Sequence, residues 1–420
     1  MVSLDQARRV VAQFQIEAPF TVEPFEGRGN INLDTLLVTA GPDQKAYLLQ
    51  RVNPRVFPKT DRVMAGMIAS IQAQQHSLQR GLAANTGWQV PELVPTHDGE
   101  MSFEHHGTWR MMRYIEGTVS YKSLSELSHD QRLKAAYEVG RGLAIYSDLT
   151  SHIDPATVPT ALPGYRNTRV YFDQFESAME GCREVHETEH RMPGEPEVRA
   201  AAERHFLVTV SEEERISRRH DPELAPYIDL AVKYRPLALA MQDERERGSM
   251  RTTAIHGDTK IENFLFDART GTVVALVDLD TIMPLHWLAD WGDMVRSLVN
   301  VAGEKERDLG RVDVDHDVYA SVTEGFLSEA KTATPHEVAL MPRAVQVIAL
   351  ELGVRFLADY LRGDTYFQLG PNDPHDLNKV RAMVQLRLFE RLLEHEPRAS
   401  ALVPRNGFAV IETSDVRVAQ

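Results

Sequence analysis

Cysteine is almost missing from this sequence: Cys182 is the single one in 420 residues. That excludes an intramolecular disulfide framework and a cysteine-built zinc ribbon. Basic residues are also scarce, 46 Lys and Arg against 61 Asp and Glu, for a formal net charge of −15. A nucleic-acid binder would be expected to carry a basic surface, so that class is disfavoured. No uncharged run approaches the roughly 20 residues that cross a bilayer. Residues 1–12 place Asp5, Arg8 and Arg9 in an amphipathic helical pattern where a signal peptide would need an apolar stretch. Internal repeats and low-complexity segments are absent too. Together these absences point to a cytoplasmic protein that meets neither membrane nor nucleic acid.

What is present is a chain that is 43% hydrophobic, enough to bury a sizeable core, and long enough for two to three domains or lobes. The first hundred residues are β-rich. Short β-branched and aromatic runs predict strands at 20–25, 32–39, 47–52, 92–94 and 109–115. Residues 61–80 have helical period, with Val63, Met64, Met67, Ile68 and Ile71 on one face and Asp61 as the expected N-cap. This set forms a small α+β unit of about 115 residues. Beyond it, helices are expected over 130–149, 169–189, 198–219, 226–247, 292–302, 318–330, 335–360 and 378–394. They are interrupted by one β region, 252–279, in which 264–266 and 273–277 flank a turn. Cys182 falls on a predicted helix as a small packing residue, and the tail 397–420 is weakly periodic.

The chemistry concentrates in His256-Gly257-Asp258-Thr259-Lys260-Ile261-Glu262-Asn263, followed by Val277-Asp278-Leu279-Asp280. An Asp, an Asn five residues later and a hairpin delivering another Asp suit phosphoryl transfer from a magnesium nucleotide. Such transfer passes through a loose transition state, so positioning and charge neutralisation do most of the work. Asp258 would orient the acceptor hydroxyl and take its proton. Asn263 and Asp278 would supply oxygen ligands to Mg2+, and Lys260 would meet γ-phosphate charge.

These residues resemble the aminoglycoside-phosphotransferase and choline-kinase superfamily, and within it the N-acetylhexosamine 1-kinase-like sugar kinases. Further blocks carry the likeness: Gly29-Asn30-Ile31-Asn32, Gln50-Arg51-Val52-Asn53, Asp278-Leu279-Asp280-Thr281-Ile282-Met283-Pro284, Asp290-Trp291-Gly292-Asp293 and Arg355 to Phe367. The resemblance implies a bilobal protein-kinase-like fold, with a small β-rich N-terminal lobe over 1–115 and a large, mainly helical C-terminal lobe over 118–396. It implies ATP and Mg2+, with Gly27, Gly29 and Asn30 against the phosphates and Arg51 as the phosphate-contacting cation. It makes Arg113 to Gly117, Ile115 included, a hinge whose backbone meets adenine. The usual acidic partner of the Arg51 position is a Glu on the next helix, yet residues 61–80 contain none.

On the acceptor side the likeness points to Arg355, Asp359, Tyr360, Asp364, Tyr366 and Asn167, and to a sugar or amino-sugar phosphorylated at its anomeric hydroxyl. Gly257 and Glu262 stand where the sugar kinases carry Asn, Leu285 where they carry Gly, and Ala289 where they carry an aromatic residue. An aminoglycoside, choline or another amino-alcohol therefore stays open as acceptor; a pseudokinase that binds without turnover is a remote alternative, against which intact Asp258, Asn263 and Asp278 speak. Asp280 and Asp290 are expected to stand behind the metal ligands or to fix loops rather than to ligate the metal directly. His186-Glu187-Thr188-Glu189-His190 matches the HExxH zinc-peptidase pattern but lies in a polar stretch ended by Pro193-Gly194. Asp313, Asp315, Asp317 and Glu324 have calcium-loop spacing without its glycine, and mark a charged helix start instead.

Overall fold

The computed structural model describes residues 2–26, 31–370 and 372–404. Helix α1 (Leu4–Val11) opens the chain, its N-terminus closed by a capping box between Ser3 and Gln6. Strands β1 (Phe20–Pro24), β2 (Asp34–Ala40), β3 (Lys45–Arg51), β4 (Leu93–Val94), β5 (Phe103–Glu104) and β6 (Thr108–Arg113) form one antiparallel sheet. Its order is β1-β2-β3-β6-β4, and β5 pairs with the other end of β6. Between β3 and β4 runs α2 (Thr60–Gln79). Asp61 lies in its first turn rather than at its cap, which Lys59 occupies without a side-chain bond.

Strand alternation gives the sheet two different faces. Leu36, Val38, Tyr47, Leu49, Trp109 and Met111 point to α1 and close a core with Ala7, Val10, Val11 and Phe14. Thr35, Gln50 and Arg110 sit one residue out of phase, on the α2 side, where Arg110 reaches Met67.

After β6 the chain makes β7 (Thr118–Val119), which pairs with β9 (Phe264–Asp267) of the hairpin β9–β10 (Val273–Leu276). Two further strands, β8 (Thr253–Ile255) and β11 (Met283–Leu285), pair antiparallel and pinch off everything between them as one closed loop. Helices make up the rest. Helix α3 (His129–Thr150) crosses α10 (His316–Glu329) at backbone contact, because Gly140 and Gly325 leave no Cβ between them. A Cβ on Gly325 would stand 1.9 Å from the Tyr137 carbonyl oxygen.

Three expected helices break, the segment 335–360 at Leu340. The segment 169–189 ends early as α4 (Thr168–Glu180), because Gly181 takes a left-handed cap at φ +82°, and α5 (Val185–Thr188) is a single turn. The segment 198–219 splits into α6 (Pro196–Ala202) and α7 (Glu212–Arg219), the second started by Ser211, whose side chain accepts from Glu214 N. By contrast α8 (Ala225–Glu246) runs straight through Pro236. Downstream lie α9 (Leu288–Val299), α11 (Pro335–Ala339), α12 (Met341–Arg362), α13 (Leu377–Glu394) and α14 (Glu396–Ser400). Helix α12 is apolar on nearly every side because α4, α9 and α13 surround it, as a central helix requires. Among the described residues no helix is long and apolar enough to cross a membrane.

Candidate active site

The β8–β11 pairing holds both ends of the loop that carries Asp258 and Asp278. His256 follows β8 and is fully buried. Its Nδ1 accepts from Asp258 N at 3.2 Å, which leaves the proton on Nε2 to be donated to the Val277 carbonyl at 2.9 Å. One neutral imidazole thus ties the Asp258 backbone to the residue before Asp278. Asp290, on α9, accepts from His256 N at 2.7 Å and Gly257 N at 2.8 Å, and its own carbonyl accepts from the Thr259 hydroxyl. It is a loop-fixing group, as the sequence suggested. Gly257 has to be glycine: its φ is +86°, and a Cβ would sit 2.5 Å from the Thr281 carbonyl oxygen.

Within the loop, Asn263 Nδ2 donates to the Asp258 carbonyl at 2.8 Å, so the hydrogen-bond network leaves its Oδ1 as the atom for a cation. Lys260 Nζ lies 2.9 Å from the Asp258 carboxylate. Burial works against the Lys260 charge, but Asp258, Asp278 and Glu262 outweigh it and hold the ammonium above its ordinary range. Asp278 sits in the left-handed region at φ +65°, a strained conformation of the kind that functional sites retain.

Burial, reinforced by Asp280 and Asp258, pushes the Asp278 carboxyl up to about 7 against the pull of Lys260 and Arg110. A carboxyl with a raised folded pKa binds its proton more tightly in the native state. Native stability therefore falls as pH rises from the ordinary 3.8 towards 7. Asp278→Asn removes this effect. Its stability advantage over the wild type should grow by about 2–3 kcal/mol between pH 5 and pH 8. Thermal unfolding at both pH values without metal or nucleotide reads this directly; an advantage that shrinks with rising pH would contradict it.

The donor chemistry fits a hard cation. An amide oxygen and a carboxylate crowded by other acids offer oxygen ligands that a divalent ion would relieve of repulsion. Among the described residues no cluster of three or more His, Cys, Asp or Glu could hold a metal alone. Phosphate oxygens and water would have to complete the shell. The HExxH segment is built otherwise: Glu187 accepts from the Arg183 and Glu184 amides, and His190 falls past the end of α5. Asp315 caps α10, so the calcium-like spacing is a helix start.

On the nucleotide side the structure corrects the assignment of Arg51. It lies on the α1 face of the sheet, donating to Asp34 at 2.9 Å and stacking near Trp109. The inward position belongs to Gln50, and the inward cation is Arg110 of β6, 0% exposed. Arg110 is held by Gln50 Oε1 at 2.9 Å and forms an ion pair with Asp280, itself 3% exposed. Asn32 also donates to Asp280, at 3.1 Å. Since α2 offers no Glu, the acid comes from the loop after Asp278. The expected contacts of Gly27, Gly29 and Asn30 lie outside the described residues. The Arg113 side chain turns to Glu92, and the Ile115 carbonyl accepts from the Thr118 hydroxyl.

On the acceptor side the proposed residues separate. Arg355 and Tyr366 stay together, with Arg355 donating to the Tyr366 hydroxyl at 3.2 Å. Asn167 is the N-cap of α4. Asp359 is 0% exposed and fully engaged by Arg362 and by the amides of Thr365, Tyr366 and Phe367, so it builds the turn and cannot meet an acceptor. Tyr360 stacks under Arg218, and Asp364 is taken by Arg218 and Asn378.

The residues that do reach the catalytic loop are Tyr165 and Arg166, just before the segment singled out in the sequence. Tyr165 donates to the Gly257 carbonyl at 3.3 Å, and Arg166 bonds the same oxygen and Asp293. Leu285 and Ala289, two of the departures from the sugar kinases, pack with Ile255 and Met283 into the cluster on which Tyr165 rests.

The phosphotransferase enzyme family, APH, matches residues 22–322 of this chain. Among solved structures, a microcompartment-associated aminopropanol kinase is 14% identical, with a TM-score of 0.53, over 95% of this chain and 99% of its own. An aminoglycoside phosphotransferase from Alicyclobacillus acidocaldarius is 13% identical, with a TM-score of 0.51, over 96% and 97%. The amicoumacin kinase hAmiN, solved with AMP-PNP, Ca2+ and Ami, is 9% identical at a TM-score of 0.51, over 91% and 93%.

Proposed function

The chain belongs to the phosphotransferase enzyme family, a bilobal kinase-like fold, and on that premise we propose that it transfers the γ-phosphoryl group of ATP to a hydroxyl of a sugar, the anomeric one. Residues 1–115 hold the nucleotide, with Gly27, Gly29 and Asn30 over the phosphates and the hinge at 113–117 against adenine. Residues 118–396 carry the catalytic loop and receive the acceptor. Asn263 and Asp278 would hold Mg2+, which when bound offsets phosphate charge. Asp258 accepts the proton of the acceptor hydroxyl and aims its oxygen. Lys260, already paired with Asp258, moves its charge towards the transferred phosphoryl. Arg110 replaces Arg51 as the sheet's cation facing this centre.

The observation that carries the reading is the single loop in which Asp258, Lys260 and Asn263 are mutually bonded and joined through His256 to the strand end before Asp278. The test is an ADP-release screen with magnesium over sugars, aminoglycosides and amino-alcohols. Sugar-stimulated ADP release, with an acid-labile phosphate product, is expected. Stimulation by amino-alcohols alone would move the assignment to that class.

A further inference from the structure

We propose that the acceptor carries an anionic group, a carboxylate on a polyhydroxy or sugar-acid skeleton, and that Arg355 is the residue that reads it. This rests on the phosphotransferase reading and narrows its substrate class. Arg355 projects from α12 into a ring of aromatic side chains. Its guanidinium carbon lies 4.5 Å from the Tyr171 ring centre, 5.4 Å from those of Tyr165 and Tyr366, and 5.3 Å from that of Phe367. Tyr366 is 42% exposed, so the ring opens to solvent on one side. On the other side it touches the catalytic loop, because Tyr165 also bonds the Gly257 carbonyl beside Asp258.

Among the described residues no carboxylate pairs with Arg355. Its one hydrogen bond is to the Tyr366 hydroxyl. Of the nearby acids, Asp293 is committed to Arg166 and Arg296, and Asp359 to Arg362 and the 365–367 amides; Glu351, buried one helical turn before Arg355, gives one oxygen to the Thr168 hydroxyl at 2.6 Å and turns the other towards Arg166 at 3.8 Å. His205, whose ring stacks edgewise on Tyr366, adds no counter-charge. A half-buried guanidinium that forms no ion pair is open to an anionic ligand, and it matches a carboxylate with two parallel bonds. The flat rings around it suit the faces of a sugar and hold the fork in one orientation. An ammonium-bearing acceptor would instead bring like charge against Arg355.

The test compares matched acceptors: glucuronate, glucose and glucosamine, then galacturonate, galactose and galactosamine. Binding is measured calorimetrically with ADP and magnesium present, and turnover by ADP release. The acid of each set should bind at least roughly tenfold tighter than its neutral and amine counterparts. Arg355→Gln should erase that preference while changing affinity for the neutral sugar less than about threefold, and Arg355→Lys should retain part of it. Acids that bind best yet release no ADP would uphold the anion site and sink the kinase reading. Acids that bind no better than their counterparts would overturn the anion site, whatever the turnover, and wild-type binding alone decides this if the variants fail to fold.

Discussion

Asp258→Asn is expected to lower kcat by about 10^3-fold or more, with ATP affinity and thermal stability close to those of the wild type. The carboxylate is the one group of the loop that can take the acceptor proton, and Asn keeps its size while losing that capacity. Its charge also pairs with Lys260, which keeps Asp278 and Glu262 as acidic neighbours in the variant. Its backbone carbonyl, not its carboxylate, makes the shorter bond to Asn263, and its amide bonds His256 whatever the side chain. Single-turnover transfer with calorimetric titration of a non-hydrolysable ATP analogue separates the two properties. Unchanged turnover would remove Asp258 from the machinery; lost nucleotide binding would mean the loop itself had collapsed.

Arg110→Met should have the largest effect on the nucleotide side, and on stability as well. Asp280 would remain buried without its counter-charge, a situation that costs about 3–5 kcal/mol. The ATP KM should rise by roughly tenfold, because Asp280, two residues after Asp278, loses the charged partner that fixes it. Arg51→Met should leave the ATP KM unchanged within about twofold, since that side chain serves Asp34 on the far face of the sheet. The double variant Arg110→Met with Asp280→Asn should be less destabilised than Arg110→Met alone, because the stranded carboxylate is gone. Urea unfolding and ATP saturation curves on the four proteins give both answers. A KM response at Arg51 and none at Arg110 would restore the assignment drawn from sequence.

The two arginines show where sequence reasoning stops. Strand alternation predicts that Gln50 and Arg51 face opposite ways, but not which way is inward. That depends on α1, whose apolar Ala7, Val10 and Val11 claim the Leu49 face and leave the Gln50 face to α2. The absence of a Glu in 61–80 was a correct warning that the usual ion pair is not formed. Its replacement joins β6 to a loop 170 residues later, which no local pattern reports. Asp359 was misplaced for a related reason. The likeness grouped it with the acceptor residues, whereas the turn after α12 folds back and presents three amides to its carboxylate.

By itself the sequence determined the catalytic loop. Asp258, Asn263 and Asp278 lie on one short stretch whose strand-turn-strand grammar is local, so spacing alone brings them together. The near absence of cysteine likewise settled that no intramolecular disulfide holds this fold. Only the tertiary structure decided that Arg110 rather than Arg51 turns to α2 and pairs with Asp280, and that Tyr165 and Arg166 meet the loop of Asp258. It alone showed that Arg355 stands among four aromatic rings. Those arrangements arise where elements far apart in the chain pack face to face. Their register is set by the shapes and charges of both partners, which no single segment encodes.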